Sequence, residues 1–508
     1  MRGAVTAPTL RAQTGNDFII GSVRGDPPLQ ARERLDKAKR KPMTKHKPNA
    51  QLHKRVLIAG SGIAGSSLAA DVEASGATVI GFLDDNVTGQ RIIGKLADVA
   101  TVCERESIDI VYFAIPTASG DLLRKFVTDV PRSKVELAII PRTYRVVSRE
   151  RVSVDDLTDI DVLDMVGRAP VKHDMLDARD AVAGRRVMVT GAAGSIGSRL
   201  VAQLHMLDPD IVVCVDRSES GIFRLGQSLA DIPNFRLEIG DVQSEKRIGQ
   251  LMGQYRPDIL FHVAAYKHVP LMQANPVEAF NNNVWGTLNV LRQATESGVE
   301  RVVYVSTDKA VNPTNVMGAT KRIGELLLRD LSGSGTRARL TGVRFGNVLE
   351  SEGSVMQTFR RQLLEGKNLT VTDPNVTRYF MTIDEASQLV IQTATRGSQG
   401  DIFVLDMGDP IRIQDLARGL IDAVNPSLGI DIVGLRPGEK MFEELSYSTS
   451  TVDTTTHPKI FIVKEKEVRA PGETLAWVKG LLARTRDYAL SDDDLKAELR
   501  RFGFSAIQ

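Results

Sequence analysis

An aspartate and a lysine stand side by side in Ser306-Thr307-Asp308-Lys309, directly after the apolar run Val302-Val303-Tyr304-Val305. The β-branched run predicts a buried strand, and open α/β sheets bind their ligands at the carboxyl ends of such strands. An acid and a base held next to each other can protonate one atom of a substrate and deprotonate its neighbour. The alternative is a strand–loop–helix unit in which the Asp308–Lys309 pair is only solvated.

A helix is predicted after this pair, over residues 316–329, because apolar residues such as Ile323 and Leu326 recur there at helical spacing. Met317 and Lys321 are four residues apart, so they lie one turn apart on one face of that helix. Both side chains are therefore candidates for the same site.

A glycine-rich turn earlier in the chain predicts a cofactor. The strand 186–190 leads into Gly191-Ala192-Ala193-Gly194-Ser195-Ile196-Gly197, and a second strand ends at Asp216, 19 residues after Gly197. Such a turn lets backbone amides approach a pyrophosphate at a helix N-terminus, and the acid accepts hydrogen bonds from the adenine ribose. These features predict NAD rather than its 2′-phosphorylated relative, although Arg217 beside the acid weakens that choice.

The same pattern occurs earlier still, in Gly60-Ser61-Gly62-Ile63-Ala64-Gly65. Asp84 also follows its last glycine by 19 residues. No catalytic motif comes after this turn. Binding of a nucleotide or nucleotide sugar there and a purely structural role are both open.

The charge distribution separates a basic N-terminal segment from a mildly acidic remainder. Residues 1–55 carry 13 Lys+Arg and 4 Asp+Glu, which leaves 52 and 59 of the totals of 65 and 63 for the rest of the chain. The acidic remainder argues against a nucleic-acid-binding surface. Residues 1–53 are predicted to be a disordered tail, either simply solvated or in weak contact with a membrane surface or a partner.

The two cysteines, Cys103 and Cys214, lie far apart in apolar sequence. They are predicted to be reduced core thiols, and no metal site can be built from them. No apolar run of about 18 residues and no signal peptide is visible, so we expect a cytoplasmic protein without a membrane span.

Strand–helix alternation predicts an α/β fold with two Rossmann-like parallel-sheet domains, the second carrying a smaller C-terminal α/β lobe for substrate. The short strands near 368–372 and 402–406 are assigned to the lobe, and residues 475–501 are expected to be helical and charged. The predicted divisions are a tail 1–53, a first domain 54–150, a connecting segment 151–183, and a cofactor domain 184–508 with its lobe mainly in 345–465.

Four ordered motifs carry a family resemblance, namely TGAAGSIG at 190–197, AAYKHVP at 264–270, STDKAVNPTNVM at 306–317 and RPGEK at 436–440. Together they resemble the extended short-chain dehydrogenase/reductases. More closely, they are similar to the bacterial nucleoside-diphosphate-sugar 4,6-dehydratases of polysaccharide biosynthesis, the two-Rossmann type acting on UDP-N-acetylglucosamine. The resemblance, over about residues 55–465, implies a regenerated NAD, a UDP-sugar substrate and, by analogy, a homo-oligomer paired through helices beside the active site.

The resemblance implies that hydride passes from C4 of the sugar to NAD, that the C5 proton and the C6 hydroxyl leave as water, and that the hydride returns to C6. It implies Asp308 as the acid and Lys309 as the base. Thr307 would hydrogen-bond the C4 oxygen, and Lys321 would bind the nicotinamide ribose. Lys309 can act as a base only if its pKa falls well below about 10.4, through burial or a cation such as Lys321.

Met317 stands where most short-chain dehydrogenases place a tyrosine that takes the proton of the C4 hydroxyl. A thioether cannot take that proton. Either the site is inactive, or the proton passes through Thr307, a water or Asp308. The large polysaccharide dehydratases, which this chain resembles, also have methionine here.

The resemblance also implies two sets of binding residues. Those expected at the cofactor are Gly191, Gly194, Ser195, Ile196, Gly197, Asp216, Arg217, Asp241, Val242, Ala264, Ala265 and Lys321. Those expected at the substrate are Lys267, His268, Asn283, Asn347, Val348, Arg378, Arg436, Glu439 and Lys440.

Two departures from the family pattern bear on function. Relatives of this size usually carry transmembrane helices before the first glycine-rich turn, where this chain has the basic segment 1–53. They also commonly carry a Gly-Ser-Arg-Gly run, where this chain has Glu350-Ser351-Glu352-Gly353.

A sugar-nucleotide epimerase or reductase of the same fold is one alternative to the dehydratase, although it would not need the Asp308–Lys309 pair. A non-catalytic module that senses NAD or a nucleotide sugar is the other, suggested by Met317 and the first domain.

Overall fold

The computed structural model describes most of the chain from residue 54 onward. The predicted tail 1–53 and the part of the connecting segment up to residue 174 lie outside the described residues, as does Glu350. The described ranges are 54–85, 91–115, 118, 120–131, 134–140, 175–230, 232–333, 335–349, 351–425, 427–465 and 469–507.

A five-stranded parallel sheet forms the first domain, as the sequence predicts. Its strands are β1 Arg55–Ala59, β2 Thr78–Leu83, β3 Ile92–Gly94, β4 Ile110–Phe113 and β5 Glu136–Ile139. Its helices are α1 Ile63–Ala74, α2 Val99–Arg105 and α3 Gly120–Asp129. The strand order is β3-β2-β1-β4-β5. Strands β1 and β4 are continuous apolar runs, as expected where both faces of a parallel sheet are covered.

A nine-stranded sheet forms the second domain. The strands of this half of the chain are β6 Arg186–Thr190, β7 Ile211–Asp216, β8 Phe235–Ile239, β9 Ile259–His262, β10 Arg301–Val305, β11 Arg339–Arg344, β12 Asn347–Val348, β13 Leu369–Val371, β14 Thr377–Arg378, β15 Phe380–Met381, β16 Ile402–Leu405, β17 Ile411–Arg412, β18 Ile430–Ile432, β19 Thr451–Thr454 and β20 Ile460–Lys464. The order in the sheet is β19-β20-β16-β11-β10-β9-β6-β7-β8, in which β8 to β16 run parallel. The predicted fold of two Rossmann-like sheets is confirmed.

Helices cover this sheet and build the lobe. They are α4 Leu176–Val182, α5 Ser195–His205, α6 Glu219–Ser228, α7 Glu245–Tyr255, α8 Val269–Ala274, α9 Pro276–Phe280, α10 Gly286–Glu296, α11 Val316–Ser332, α12 Val355–Leu364, α13 Ile383–Thr393, α14 Ile413–Val424, α15 Glu473–Arg486 and α16 Asp492–Arg501. A π-helical turn, Asn281–Trp285, joins α9 to α10. No helix of the described ranges is long and apolar enough to cross a membrane.

The assignment of residues 402–406 to the lobe was wrong. Strand β16 is the seventh parallel strand of the main sheet, with Gly342 of β11 opposite Ile402. All four β16 residues are buried, so the strand belongs in a sheet covered on both faces. The lobe instead contains three two-stranded pairs, β12-β15, β13-β18 and β14-β17, with α12 and α14.

The C-terminal helical stretch is two helices, and it covers α11. Tyr488, with φ +52°, lies in the break between α15 and α16. The Asn281 side chain donates to the carbonyl of Thr485 at 2.9 Å, and the Leu475 amide donates to Asp330 at 2.9 Å. This side of α11 is therefore packed within the chain. Pairing of copies through helices beside the active site stays a prediction.

One apolar cluster joins the first domain to the lobe. Phe126 of α3 belongs to the same cluster as Leu416 and Leu420 of α14. In the first glycine-rich turn, Ser61 donates to Asp84 Oδ2 from both its amide and its hydroxyl, each at 2.8 Å. The shared cluster packs the first domain against the lobe. Whether the first glycine-rich turn binds a ligand stays an open question.

Candidate active site

Strand β10 ends at an acid–base pair, as the sequence predicts. Thr307 caps a 3-10 turn that starts at Asp308, and its hydroxyl donates to Asp308 Oδ1 at 2.8 Å. Lys309 Nζ donates to the same Oδ1 at 3.0 Å and to Asn347 Oδ1 at 3.0 Å. The carboxylate and the ammonium are thus held against each other rather than solvated independently.

Lys309 does not have the lowered pKa that it would need as a base. Burial acts most strongly and lowers the pKa, but Asp308 and Glu443 together raise it above its ordinary value. The cation that opposes them is Arg378. Lys321, the expected cation, instead places its Nζ 4.1 Å from the centre of the Tyr304 ring. Lys309 is therefore held as an ammonium.

Asp308 lies just behind the cavity wall. Its side chain has no exposed surface, whereas that of Lys309 is 18% exposed. Its Oδ2 is buried and has no hydrogen-bond partner in the described part of the chain. A Cβ at Gly346 would lie 3.2 Å from this oxygen, so the lack of a side chain at Gly346 avoids a close contact with it. The free oxygen is where an acid could carry its proton.

Met317 and Lys321 lie in the first turns of α11, as predicted, and both line the cavity. Lys321 is buried, and burial lowers its pKa to about 7, with Glu325 opposing this shift.

His262 lies between Thr190 and Thr287, whose hydroxyl oxygens are 2.7 and 3.0 Å from its two ring nitrogens. Burial, assisted by Lys321, lowers the pKa of His262 to about 3, so this histidine is neutral.

The second glycine-rich turn has the shape of a dinucleotide cradle. Gly191 has φ +73°, and a Cβ there would lie 2.6 Å from the Ala264 amide nitrogen. A Cβ at Gly197 would lie 2.0 Å from the Gly191 carbonyl oxygen. Asp216 accepts hydrogen bonds from the amides of Ala193 at 3.0 Å and Ser218 at 2.9 Å. Backbone and acid therefore stand where the pyrophosphate and ribose of a dinucleotide would bind.

A single cavity of about 790 Å³ connects this cradle, the acid–base pair and the lobe. Four of the predicted site residues do not line it, namely Asp241, Asn283, Asp308 and Lys440. The other predicted residues do, which are Gly191, Gly194, Ser195, Ile196, Gly197, Asp216, Arg217, Val242, Ala264, Ala265, Lys267, His268, Thr307, Lys309, Met317, Lys321, Asn347, Val348, Arg378, Arg436 and Glu439.

Three of the residues outside the cavity have structural contacts instead. Asn283 is buried and bonds both backbone groups of Tyr266, at 2.8 and 3.0 Å. Lys440 donates to the carbonyl of Val311 at 2.8 Å. Asp241 accepts from the amide of Gln243 at 2.9 Å. In this arrangement each contacts a loop of the site, and its contact with a ligand stays a prediction.

The lobe brings charged groups over the acid–base pair. Arg378 Nη2 donates to Glu439 at 2.9 Å, and its Nε lies 3.9 Å from Glu443 Oε1. Glu443 Oε1 also lies 3.6 Å from Lys309 Nζ. Sequence reasoning missed Glu443, although it lies three residues after the RPGEK motif, which ends at Lys440. Only the fold shows that it turns toward Lys309.

The Glu352 loop lies beside the cofactor cradle. The amide of Glu352 donates to Ser195 Oγ at 3.0 Å. Burial lowers the pKa of Lys267, and Glu352 opposes that shift. Burial and Lys267 likewise lower the pKa of His268, again with Glu352 opposing. Glu352 therefore acts on the two predicted substrate contacts that follow β9.

A buried network of ion pairs and hydrogen bonds contacts the strand end that carries the site. Glu325 of α11 accepts from Arg344 at 2.6 and 2.7 Å, and from the hydroxyl of Ser306 at 2.7 Å. Arg322 and Arg344 both reach Glu465 at 2.7 Å. The network ties α11, β11 and the chain after β20 to Ser306, two residues before Asp308.

Comparison with known proteins identifies the family of this chain. Residues 187–465 match the family model described as "Polysaccharide biosynthesis protein". The capsular polysaccharide biosynthesis protein CapD of Staphylococcus aureus is 38% identical over 81% of this chain and 72% of its own. A UDP-glucose 4-epimerase of Rickettsia canadensis is 32% identical over 64% of this chain and 94% of its own.

Two further matches cover about half of the chain. The UDP-N-acetylglucosamine 4,6-dehydratase (inverting) of Campylobacter jejuni is 33% identical over 51% of this chain and 76% of its own. The X-ray structure of Pen from Bacillus thuringiensis matches with a TM-score of 0.52 and 34% identity, over 56% of this chain and 90% of that one. The motifs, the fold and these matches confirm the family resemblance, and the chain belongs to the polysaccharide biosynthesis family of nucleotide-sugar short-chain dehydrogenase/reductases.

Proposed function

We propose that this chain is an NAD-dependent 4,6-dehydratase of a nucleoside-diphosphate sugar, with UDP-N-acetylglucosamine as the substrate. The observation that carries the proposal is the Asp308–Lys309 pair, joined at 3.0 Å beside a cavity that also reaches the dinucleotide cradle. Removal of water across two adjacent carbons needs an acid and a base side by side. Among the relatives, the dehydratase of Campylobacter jejuni supports the proposal by its printed name.

The cradle around Gly191 and Gly197 fits NAD, and Asp216 would hold the adenine ribose. Bound NAD would supply oxidation at C4 of the hexose and a later reduction at C6. Lys321 lies beside Met317 on the cavity wall and would carry the positive charge toward the nicotinamide ribose. Arg378 and Arg436 would face the diphosphate, for which the forked donors of arginine are suited.

The chain's own residues would perform the dehydration. Thr307 would hold the C4 oxygen while it is a carbonyl, which acidifies the C5 proton. Lys309, as a free amine, would take that proton. Asp308 would donate its proton to the C6 hydroxyl, which leaves as water. Met317 cannot accept the C4 hydroxyl proton, so that proton would pass through Thr307, a water or Asp308.

An epimerase of the same fold is the second candidate, because UDP-glucose 4-epimerases are among the relatives. An epimerase inverts C4 and leaves C5 and C6 untouched, so Asp308 and Lys309 would have no proton to move. The two candidates differ in product. Only the dehydratase would form a 4-keto-6-deoxy sugar.

The experiment is incubation with UDP-N-acetylglucosamine, followed by the absorbance of the 4-keto product in alkali. An Asp308→Asn variant should lose the product while keeping NAD. Asp453→Asn, on the exposed strand β19, is the matched control and should keep full activity. If UDP-N-acetylglucosamine and its GDP and dTDP counterparts all stay unchanged, the proposed function is wrong. Inversion at C4 without loss of water would favour the epimerase.

A further inference from the structure

Lys309 lies between two carboxylates, not one. Its ammonium is 3.0 Å from Asp308 Oδ1 and 3.6 Å from Glu443 Oε1. The Glu443 side chain is 4% exposed, and the residue lines the cavity. The other groups around the ammonium are Asn347, which is neutral, and the cation Arg378. Glu439 binds Arg378 from its other side at 2.9 Å.

Each of the two carboxylates keeps one oxygen free. Asp308 Oδ2 and Glu443 Oε2 are both buried, and neither has a hydrogen-bond partner in the described ranges. They are the only carboxylate oxygens among the buried side-chain atoms of those ranges that lack a partner. A buried, unpaired acceptor is costly unless a ligand donates to it. The hydroxyl groups of a hexose are donors of the required kind.

With both carboxylates beside it, Lys309 is unsuited to removing a proton. A base must be neutral to accept the C5 proton, and the two carboxylates favour the charged form of Lys309. They raise its pKa even though burial, the strongest influence, acts the other way. Hydrogen bonds donated to a carboxylate draw off part of its negative charge. A hydroxyl group that donates to Glu443 would therefore weaken the hold of Glu443 on the ammonium.

We propose that Glu443 is a positioning residue that keeps Lys309 protonated until a hydroxyl group of the nucleotide sugar donates a hydrogen bond to Glu443. The substrate itself then makes the base available. This inference rests on the proposed function, because it concerns the same Lys309. It assigns to Glu443 a role that acts through Lys309 and that the position of Glu443 in the sequence did not suggest.

The proton inventory closes over the step that removes water. In the loaded site, one proton of Lys309 moves to Asp308 across the 3.0 Å contact, and a turn of the carboxyl group places it at the unpaired oxygen position, which gives an amine and a carboxylic acid. The amine takes the C5 proton, and the electrons of that C–H bond form the C5–C6 double bond. The C6–O bond breaks, and the proton of Asp308 leaves with the hydroxyl as water. The ammonium and the carboxylate are then restored, and Glu443 has gained and lost no proton.

The first test measures Lys309 without substrate. Protein labelled with ¹³C at the lysine ε-carbons is titrated by NMR, and the Lys309 signal is assigned by its absence in Lys309→Met. In Glu443→Gln the pKa of Lys309 should fall by about one pH unit or more, the usual effect of removing one nearby opposite charge. Glu443→Asp should restore part of the shift.

Glu444→Gln is the matched control for this test. Glu444 is the next residue, its side chain is 44% exposed, and it contacts Lys440 and Asn312 rather than Lys309. The pKa of Lys309 should be the same in Glu444→Gln as in the unaltered protein. An unshifted pKa in Glu443→Gln, or an equal shift in both variants, would overturn the inference.

The second test uses pH profiles of turnover. In the unaltered enzyme the rising limb of kcat/KM, which reports the free enzyme, should lie at higher pH than that of kcat. In Glu443→Gln the kcat/KM limb should move down by about one pH unit, so that the two limbs converge. A change in KM alone, with both limbs in place, would make Glu443 a simple binding residue and contradict the inference. If no nucleotide sugar is turned over, the proposed function fails, while the NMR titration still decides the role of Glu443.

Discussion

Lys321 Nζ lies 4.1 Å from the centre of the Tyr304 ring, so a lysine of α11 is packed against the face of an aromatic side chain of β10. The contact removes this amine from water between two elements of the core. Burial accordingly lowers the pKa of Lys321 to about 7, with Glu325 opposing. The charge of Lys321 is therefore sensitive to pH in the physiological range.

The free energy of unfolding should depend on pH because of this shift in the pKa of Lys321. The unfolded chain has an ordinary lysine, so between about pH 7 and pH 10.5 it binds a proton that the folded protein does not. The free energy of unfolding should therefore rise with pH in this window, by up to about 1.4 kcal/mol per pH unit. Lys321→Met should abolish this rise in urea titrations at several pH values. Lys479→Met, at an exposed position of α15, should retain it, and a rise that persists in Lys321→Met would contradict the assignment.

Removing one partner of the buried pair Glu325–Arg344 should lower the free energy of unfolding strongly. Both side chains are fully buried and lie 2.6 Å apart. Glu325→Gln leaves the guanidinium groups of Arg344 and Arg322 with the single carboxylate of Glu465 and should cost about 3–5 kcal/mol in chemical denaturation. Glu365→Gln, which alters an exposed pair with Lys367, should leave the unfolding free energy near its original value.

The same pair has a defined acid dependence. Burial raises the pKa of Glu325, but Arg344, Arg322 and Ser306 together lower it to about 2. The stabilisation is thus present above about pH 4.5 and is lost as the pH falls toward 2. The difference in stability between the unaltered protein and Glu325→Gln should shrink over that window. If the difference in unfolding free energy stayed constant with pH, the carboxylate of Glu325 would not be the source of the stabilisation.

Two glycines with similar backbone angles should respond differently to alanine. Gly191, with φ +73°, has no space for a Cβ, which would meet the backbone of Ala264 at 2.6 Å. Gly184, with φ +68°, has open space around that position. Gly184→Ala should therefore cost only the backbone strain, about 1–2 kcal/mol. Gly191→Ala should cost more and should also abolish the rise in melting temperature that NAD produces. Equal behaviour of the two variants would exclude close packing at Gly191 as the reason for its glycine.

The sequence was most informative where one local signal decides the outcome. The β-branched run before Asp308 correctly predicted that the acid–base pair follows a buried strand. The helical spacing of apolar residues in α11 correctly placed Met317 and Lys321 on one helix. Both signals are short-range. Residues 402–405 carry a signal equally suited to a lobe strand or a sheet strand. Only the pairing of β16 with β11, contributed by a distant segment, decides between them.

The electrostatics of the site could not be predicted in the same way. The pKa of Lys309 depends on Glu443, more than a hundred residues away, which together with Asp308 raises it against the effect of burial. Asn283 carries a polar side chain suited to a sugar, but the fold turns it onto the backbone of Tyr266. Side-chain direction in loops is set by packing, on which a motif carries no information.

The absence of a side chain at Gly346, next to Asp308, should be required for turnover. A methyl group at Gly346 would lie 3.2 Å from Asp308 Oδ2, 2.9 Å from the Cβ of Tyr379 and 3.1 Å from the Met407 methyl carbon. Gly346→Ala should fold and keep NAD, since the cradle lies elsewhere in the cavity. Its kcat should fall by about 100-fold, the usual consequence of displacing reacting groups by about 1 Å.

Gly480→Ala separates this effect from a general response to alanine. Gly480 lies in α15 with nothing within 4 Å of an added Cβ, so the substitution should stabilise the helix by about 1 kcal/mol and leave kcat unchanged. If Gly346→Ala keeps full kcat, the free oxygen of Asp308 cannot be the point at which the acid meets the substrate. The proton would then have to leave from Oδ1, which Thr307 and Lys309 already occupy.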